Sequence, residues 1–343
     1  MAIRNTGTPV AVMMLALAFG LLAAAGATVL AVQQPWLGFT PLPAQDGSVQ
    51  LPADSPVAAQ AFPDGPRLPV RLLAMAPDAA AAALPVTAED AGPAPTDVIA
   101  TYESLATFFE RQSALLGLLE RGPVRLHLGD AGGATAWVVV TPAESRPLSD
   151  LPPVYWFQVT VGVAGLLLSC WVWALRRGDW GARLFALVGV AMLAFTVSAA
   201  VYSTRALALD GGVFRVLSDI NASGALVFGA AMTGVFLCYP HRLVRPAVLL
   251  VPMGIFGAWL AAHLLRLPPG PGLGSHLATL TEMLAIVAAI GLQWWAPRRD
   301  PAGRAALRWL GLSVILGAGA FVTLMSGPVL LGIEAPLSQG YAF

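Results

Sequence analysis

The side chains in this chain with the most capacity for chemistry are acidic and amide groups set inside apolar sequence. Asp219 and Asn221 open the run LSDINASGALVFGAAMTGVFL at 217–237, Glu282 lies within a second apolar run, and Arg205 precedes the first. An ionisable group at the centre of a bilayer costs about 2.5–3.5 kcal/mol on insertion scales, so such groups are normally paired or functional. Arg215, Asp219 and Ser223 recur at i, i+4 and i+8 on one helix face, where an exposed ion pair contributes about 0.2–0.5 kcal/mol. Arg205, Asp219, Asn221 and Glu282 are therefore the candidate ligand-sensing residues, expected to line one polar pocket among helices. The competing expectation is that they only cap and pair at helix ends.

Other chemistries are excluded or weak. All 19 basic residues are arginine, which rules out a GxxxxGK[ST] phosphate loop and a Schiff-base lysine. Neither GxSxG nor HExxH occurs, and the four histidines, His127, His241, His263 and His276, are scattered. His263, His276 and Glu282 can be drawn as three zinc ligands, but histidines near a membrane interface are ordinarily polar helix ends. No catalytic residue, metal or cofactor is expected, and nothing points to nucleic acid.

The elements that must position these groups are membrane helices. Of the 343 residues, 57% are hydrophobic and 11% charged, far from the averages of a soluble domain. Apolar runs near the roughly 20 residues that span a bilayer fall at 9–32, 153–175, 183–203, 216–239, 246–266, 274–296 and 309–333. The first run resembles a signal peptide in its small-residue end, but its length favours an uncleaved anchor. With residue 1 cytoplasmic, Arg4 and the arginines of 176–183, 242–245 and 298–308 make ten inside. Arg205, Arg215 and Arg266 are the three on the other side, so the positive-inside rule favours this orientation. On it, residues 33–152 are extracytoplasmic, the fourth helix enters the bilayer from outside, and Asp219 lies about one turn below the surface, with Glu282 at similar depth. Cys170 and Cys238 both fall in membrane helices, so no disulfide framework is implied. Small residues Ala225, Gly229, Ala230 and Gly234 on the fourth helix, and Gly311, Gly317, Gly319 and Gly327 with a Pro328 kink on the seventh, are expected to let helices approach closely.

Residues 33–152 read as a small α+β domain. In 97–120, Val98, Tyr102, Leu105, Phe109, Leu116 and Leu119 mark one buried helix face, with Glu103, Glu110 and Arg111 on the wet one. PVRLHL at 123–128 and TAWVVVT at 135–141 read as a hairpin around GDAGGA. WLGF at 36–39 and VRLLAM at 70–75 read as further strands, with loops at 40–69 and 76–96.

WLGF followed by SPVAAQAF at 55–62 resembles the start of a PDZ domain of the bacterial protease type. There backbone amides form an anion-binding nest for a peptide carboxylate, which makes Trp36, Leu37, Gly38 and Phe39 candidate peptide-binding residues. A departure is that the Gly-Asp pair expected after that helix is replaced by PDGPRLP at 63–69.

A broader resemblance rests on RPLSDLPPVYWFQ at 146–158, the stretch 199–229, YPHRLV at 239–244, QWWAPRRDPAGRAALRWLGLS at 293–313 and PLSQGYAF at 336–343. These look like the membrane sensor region of bacterial sensor histidine kinases of the competence quorum-sensing type. The resemblance implies a polytopic α-helical protein of the bacterial inner membrane: an N-terminal helix (1–32), an extracytoplasmic, degenerate PDZ-like domain (33–152) and a six-helix sensor bundle (153–343). It also implies a peptide or small-molecule signal, a homodimer formed through the parent kinase, and an eighth helix and kinase core beyond Phe343. A chain holding the sensor part alone would neither bind ATP nor transfer phosphate. The rival expectations are a small-solute transporter, for which no internal repeat is found, and a membrane assembly scaffold.

Overall fold

The computed structural model describes residues 7–44, 46–77, 82–92, 99–296, 301–326 and 331. It is mostly helical, with a small sheet. Among the described residues seven helices are long and apolar enough to cross a membrane: Pro9–Val32, Pro153–Leu175, Trp180–Ser203, Gly211–Cys238, Pro246–Leu264, Pro271–Trp295 and Gly303–Leu324. The helices that carry them are α1 (Gly7–Val32), α5 (Pro153–Leu175), α6 (Trp180–Ser203), α7 (Gly211–Cys238), α8 (Leu250–Leu264), α9 (Pro271–Trp295) and α10 (Pro301–Phe321).

Local chemistry sets where they begin. Proline stands in the first turn of α5 and α9, where its missing N–H costs nothing. The Asp179 side chain accepts from the Gly181 N–H at 2.8 Å to start α6, and Asp210 accepts from the Val213 N–H at 2.9 Å to start α7. That second cap moves the beginning of α7 five residues ahead of the expected 216. Asp219 is thus eight residues into the helix, about 12 Å along its axis at roughly 1.5 Å per residue, rather than in its first turn.

α7 is the hub of the bundle, packing on α6, α8 and α9. Its glycines lie where backbones come close: a methyl at Gly224 would stand 2.9 Å from the Ala191 carbonyl oxygen of α6, and one at Gly234 would stand 2.8 Å from Leu184 Cδ1. On α10, Gly311 packs near Ile290, whereas no described residue lies within 4 Å of a methyl added at Gly317 or Gly319. Gly327, Pro328, Val98 and the stretch 336–343 lie outside the described residues.

The small domain is an antiparallel sheet flanked by helices. Its strands are β1 (Leu42–Pro43), β2 (Val49–Gln50), β3 (Arg71–Pro77), β4 (Leu84–Pro85), β5 (Val124–Gly129) and β6 (Thr135–Val140), in the order β1-β2-β3-β5-β6 with β4 also on β3. The expected hairpin is β5–β6, in register from Val124↔Val140 to Gly129↔Thr135. Three further helices complete it: α2 (Pro56–Ala61), α3 (Ala88–Ala91) and α4 (Tyr102–Glu120). WLGF is not a full strand; Trp36 alone bridges to Ala143, and Leu37 and Phe39 are buried in the domain core with Val49, Leu72 and Leu126.

Helix α4 has two buried faces, not one. Leu115 and Leu119 join the sheet core, while Leu105, Phe108 and Phe109 pack with Tyr202, Phe214 and Leu217 of the bundle. Arg111, expected on the wet face, instead pairs with the fully buried Asp90, Nε to Oδ1 at 2.6 Å and Nη2 to Oδ2 at 2.7 Å. The pairing raises the Arg111 pKa, its bond to Asp90 being the largest cause.

Candidate functional site

The domain grips the bundle at the loop between α6 and α7, residues 204–210. Leu207 and Ala208 from this loop are part of the domain's own core. The Thr204 carbonyl accepts from Arg146 Nη1 at 2.5 Å, the Ala206 N–H donates to Gln34 Oε1 at 2.9 Å, and the Leu209 N–H donates to Gln112 Oε1 at 3.4 Å. Arg146, itself only 2% exposed, also donates to Asp150 and Thr40 of the domain.

Arg205 is the centre of this junction. It is 3% exposed, and its guanidinium donates to Gln112 Oε1 at 3.1 Å, to the Tyr202 carbonyl at 2.9 Å and to the carbonyls of Glu89 at 3.2 Å and Asp90 at 2.9 Å. It also lies over the Phe214 ring at 5.1 Å. Burial lowers its pKa to about 10, with the Asp90 carboxylate acting in the opposite direction. Arg205 is thus charged at neutral pH, and every bond in the set serves to hold that charge away from water.

Below the junction is a cavity of about 260 Å³ between α4, α7, α8 and α9. Asp219 and Arg215 line it from α7, His263 from α8, Ser275 from α9, Arg266 from the following turn, and Tyr102 from the domain helix. The Tyr102 ring meets His263 edge-on at 6.4 Å and Arg266 at 6.0 Å. Burial first, and Asp219 second, raise the Tyr102 pKa. The domain therefore roofs this opening. Two glycines make the close fit: a methyl at Gly211 would overlap the Phe109 carbonyl, and one at Gly270 would overlap the Ala100 carbonyl.

A second cavity, of about 370 Å³, lies deeper among α5, α6, α7 and α9. It shares Ala222, His263 and Ser275 with the first. Asn221 and Glu282 both line it, as does Gln158 of α5. The Asn221 amide donates to the Phe195 carbonyl at 2.9 Å. Glu282 is 3% exposed, and its carboxyl group occupies the space where a side chain at Gly229 would begin. Gln158 is also 3% exposed; among the described residues neither atom of its amide, nor Glu282 Oε1, has a hydrogen-bond partner.

The four expected sensing residues are therefore distributed over three places. Asn221 and Glu282 share the deep cavity, Asp219 lines the mouth, and Arg205 is locked in the junction. Glu282 faces Gly229, ten residues beyond Asp219 on α7 and so about 15 Å deeper at roughly 1.5 Å per residue. His263, His276 and Glu282 line one cavity, yet among the described residues no three His, Cys, Asp or Glu side chains are grouped to hold a metal ion. In WLGF, Gly38 takes a positive φ of 86° and the Trp36 N–H is already bonded to the Ala143 carbonyl at 3.0 Å. A carboxylate could be met there only by the remaining backbone amides. Gln158, Gln112, Asp90 and Arg146 are site residues that sequence reasoning missed; a buried amide in an otherwise apolar helix was the one available signal, for Gln158.

Seven apolar helices and a small sheet domain locked to one end of them define a multi-pass membrane protein. No family model, curated protein or solved structure matches the chain.

Proposed function

We propose that this chain is the signal-receiving part of a bacterial sensor histidine kinase, in which a PDZ-like extracytoplasmic domain and the membrane bundle work as one receptor. The observation that carries the reading is the loop 204–210, whose Leu207 and Ala208 belong to the domain core while its two ends continue into α6 and α7. A ligand in either cavity, or on the domain, moves an equilibrium only through its differential affinity for two arrangements. A loop buried in the domain and continuous with the two central helices couples those arrangements without slack. On this reading the protein sits in the inner membrane with residue 1 in the cytoplasm, dimerises through its kinase core, and hands a helix rearrangement to that core.

The reading frame beyond codon 343 tests the proposal. An eighth apolar helix followed by dimerisation and ATP-binding domains supports it; a different catalytic or transport domain there overturns it. The deep carboxyl of Glu282 favours a small-solute transporter as the second reading, and flux of an organic cation across liposomes holding the protein would promote that reading over the first.

A further inference from the structure

We propose that the deep cavity is a binding site for a small apolar amine drawn from the lipid phase, held by Glu282 and Gln158. This deepens the receptor reading by naming the ligand class. The cavity is walled mostly by hydrocarbon and aromatic side chains, among them Phe157, Met192, Phe195 and Phe228; Asn221, His263 and His276 also line it, and no Arg among the described residues does. Among the described residues, Glu282 Oε1 and both the oxygen and the nitrogen of the Gln158 amide are buried in that wall without a hydrogen-bond partner, which leaves two acceptors open. A buried acceptor left unmatched costs about 1–3 kcal/mol, and more when charged. Two such acceptors in one cavity fit a ligand that brings N–H donors and positive charge.

An ammonium group brings both, and aromatic faces nearby receive the cation. The remainder of the ligand must be apolar to match the wall. Phe157 lines the cavity and is 60% exposed on the outside of the bundle, so the site reaches the surface that faces lipid. A hydrophobic amine concentrated in the bilayer can enter there without passing the mouth roofed by Tyr102.

Gly229 explains why the site has this shape. Any larger residue would take the volume now filled by the Glu282 carboxyl and turn that group elsewhere.

The test uses the purified chain in lipid nanodiscs and three probes with one body: 1-adamantylamine, 1-adamantanol and 1-adamantanecarboxylate. The amine is expected to bind about tenfold or more tightly than the alcohol, the carboxylate not at all, with the preference for the amine lost in Glu282→Gln and reduced in Gln158→Leu. Should Glu282→Gln not fold, the unaltered protein decides: modification of Glu282 by dicyclohexylcarbodiimide, read by peptide mass spectrometry, is slowed by the amine and not by the alcohol. Equal binding of amine and alcohol, or a preference that survives Glu282→Gln, overturns the proposal. Amine binding that leaves the hydrogen exchange of α4 unchanged would support the site while removing the receptor reading. Absence of binding removes the site alone.

Discussion

Gln112 and Arg205, 93 positions apart in sequence, meet in the core of the junction: one amide oxygen of Gln112 accepts from Arg205 Nε at 3.1 Å and from the Leu209 N–H at 3.4 Å. A single side chain of the domain thereby holds both halves of the α6–α7 loop. Gln112→Leu leaves a buried guanidinium N–H without its acceptor and is expected to destabilise the protein by about 1–3 kcal/mol. Arg205→Met removes the charge that needed the acceptor. The double variant is therefore expected to be more stable than the sum of the two losses predicts, by a coupling of about 0.5–3 kcal/mol. Thermal unfolding of the four proteins in nanodiscs measures this, and strict additivity would show that the bond does not hold the junction.

The fit of domain to bundle depends on two absent methyl groups. Gly211→Ala and Gly270→Ala each place a Cβ against a backbone carbonyl, of Phe109 and Ala100 respectively. Backbone cannot yield as a flexible side chain can, so each variant is expected to cost about 1–3 kcal/mol. The change should concentrate at the contact, with faster hydrogen exchange in α4 and little in α5 or α6. Faster exchange spread evenly over the protein would mean general destabilisation instead.

Glu282 and Gly229 form a space-for-space pair across α7 and α9. Gly229→Ala alone is expected to lower stability by about 1–3 kcal/mol through overpacking, and Glu282→Ala in the same chain is expected to recover most of the loss. Unfolding midpoints give the comparison. No recovery in the double variant would place the origin of the loss elsewhere on α7.

The arginine distribution predicts a sidedness that labelling can test. Ala114 on α4 and Gly178 in the α5–α6 turn are both exposed, at opposite ends of the bundle. In a background with Cys170 and Cys238 replaced by alanine, Ala114→Cys is expected to react with a membrane-impermeant maleimide in intact spheroplasts, and Gly178→Cys only after lysis. The reverse pattern would invert the topology and move the domain into the cytoplasm.

The seven spans were readable because hydropathy over about 20 residues is a local property that lipid rewards wherever the segment lies. β5 and β6 were readable for a similar reason, since alternation and a glycine turn are local. The two-residue strands β1, β2 and β4 carry too few residues to show a period; β2 and β4 exist because β3 offers them a partner, and β1 because β2 does. For α4 the apolar positions were visible, but not that two surfaces would claim them. Arg111 looked solvated because its partner, Asp90, stands 21 positions away in a four-residue helix.

For the site, composition alone singled out Asp219, Asn221 and Glu282 as polar groups where lipid-facing sequence should have none. It said nothing of their depth relative to one another, which depends on Asp210 capping α7 early and on Gly229 admitting Glu282. Hydrophobic length by itself determined the seven helices able to cross a membrane among the described residues. Which polar groups share a cavity, and that Arg205 is buried against Gln112 and Asp90 rather than open to a ligand, were decided only by tertiary structure. The physical reason is range: apolar transfer acts residue by residue, whereas a buried charge is satisfied only by groups that folding brings from elsewhere in the chain.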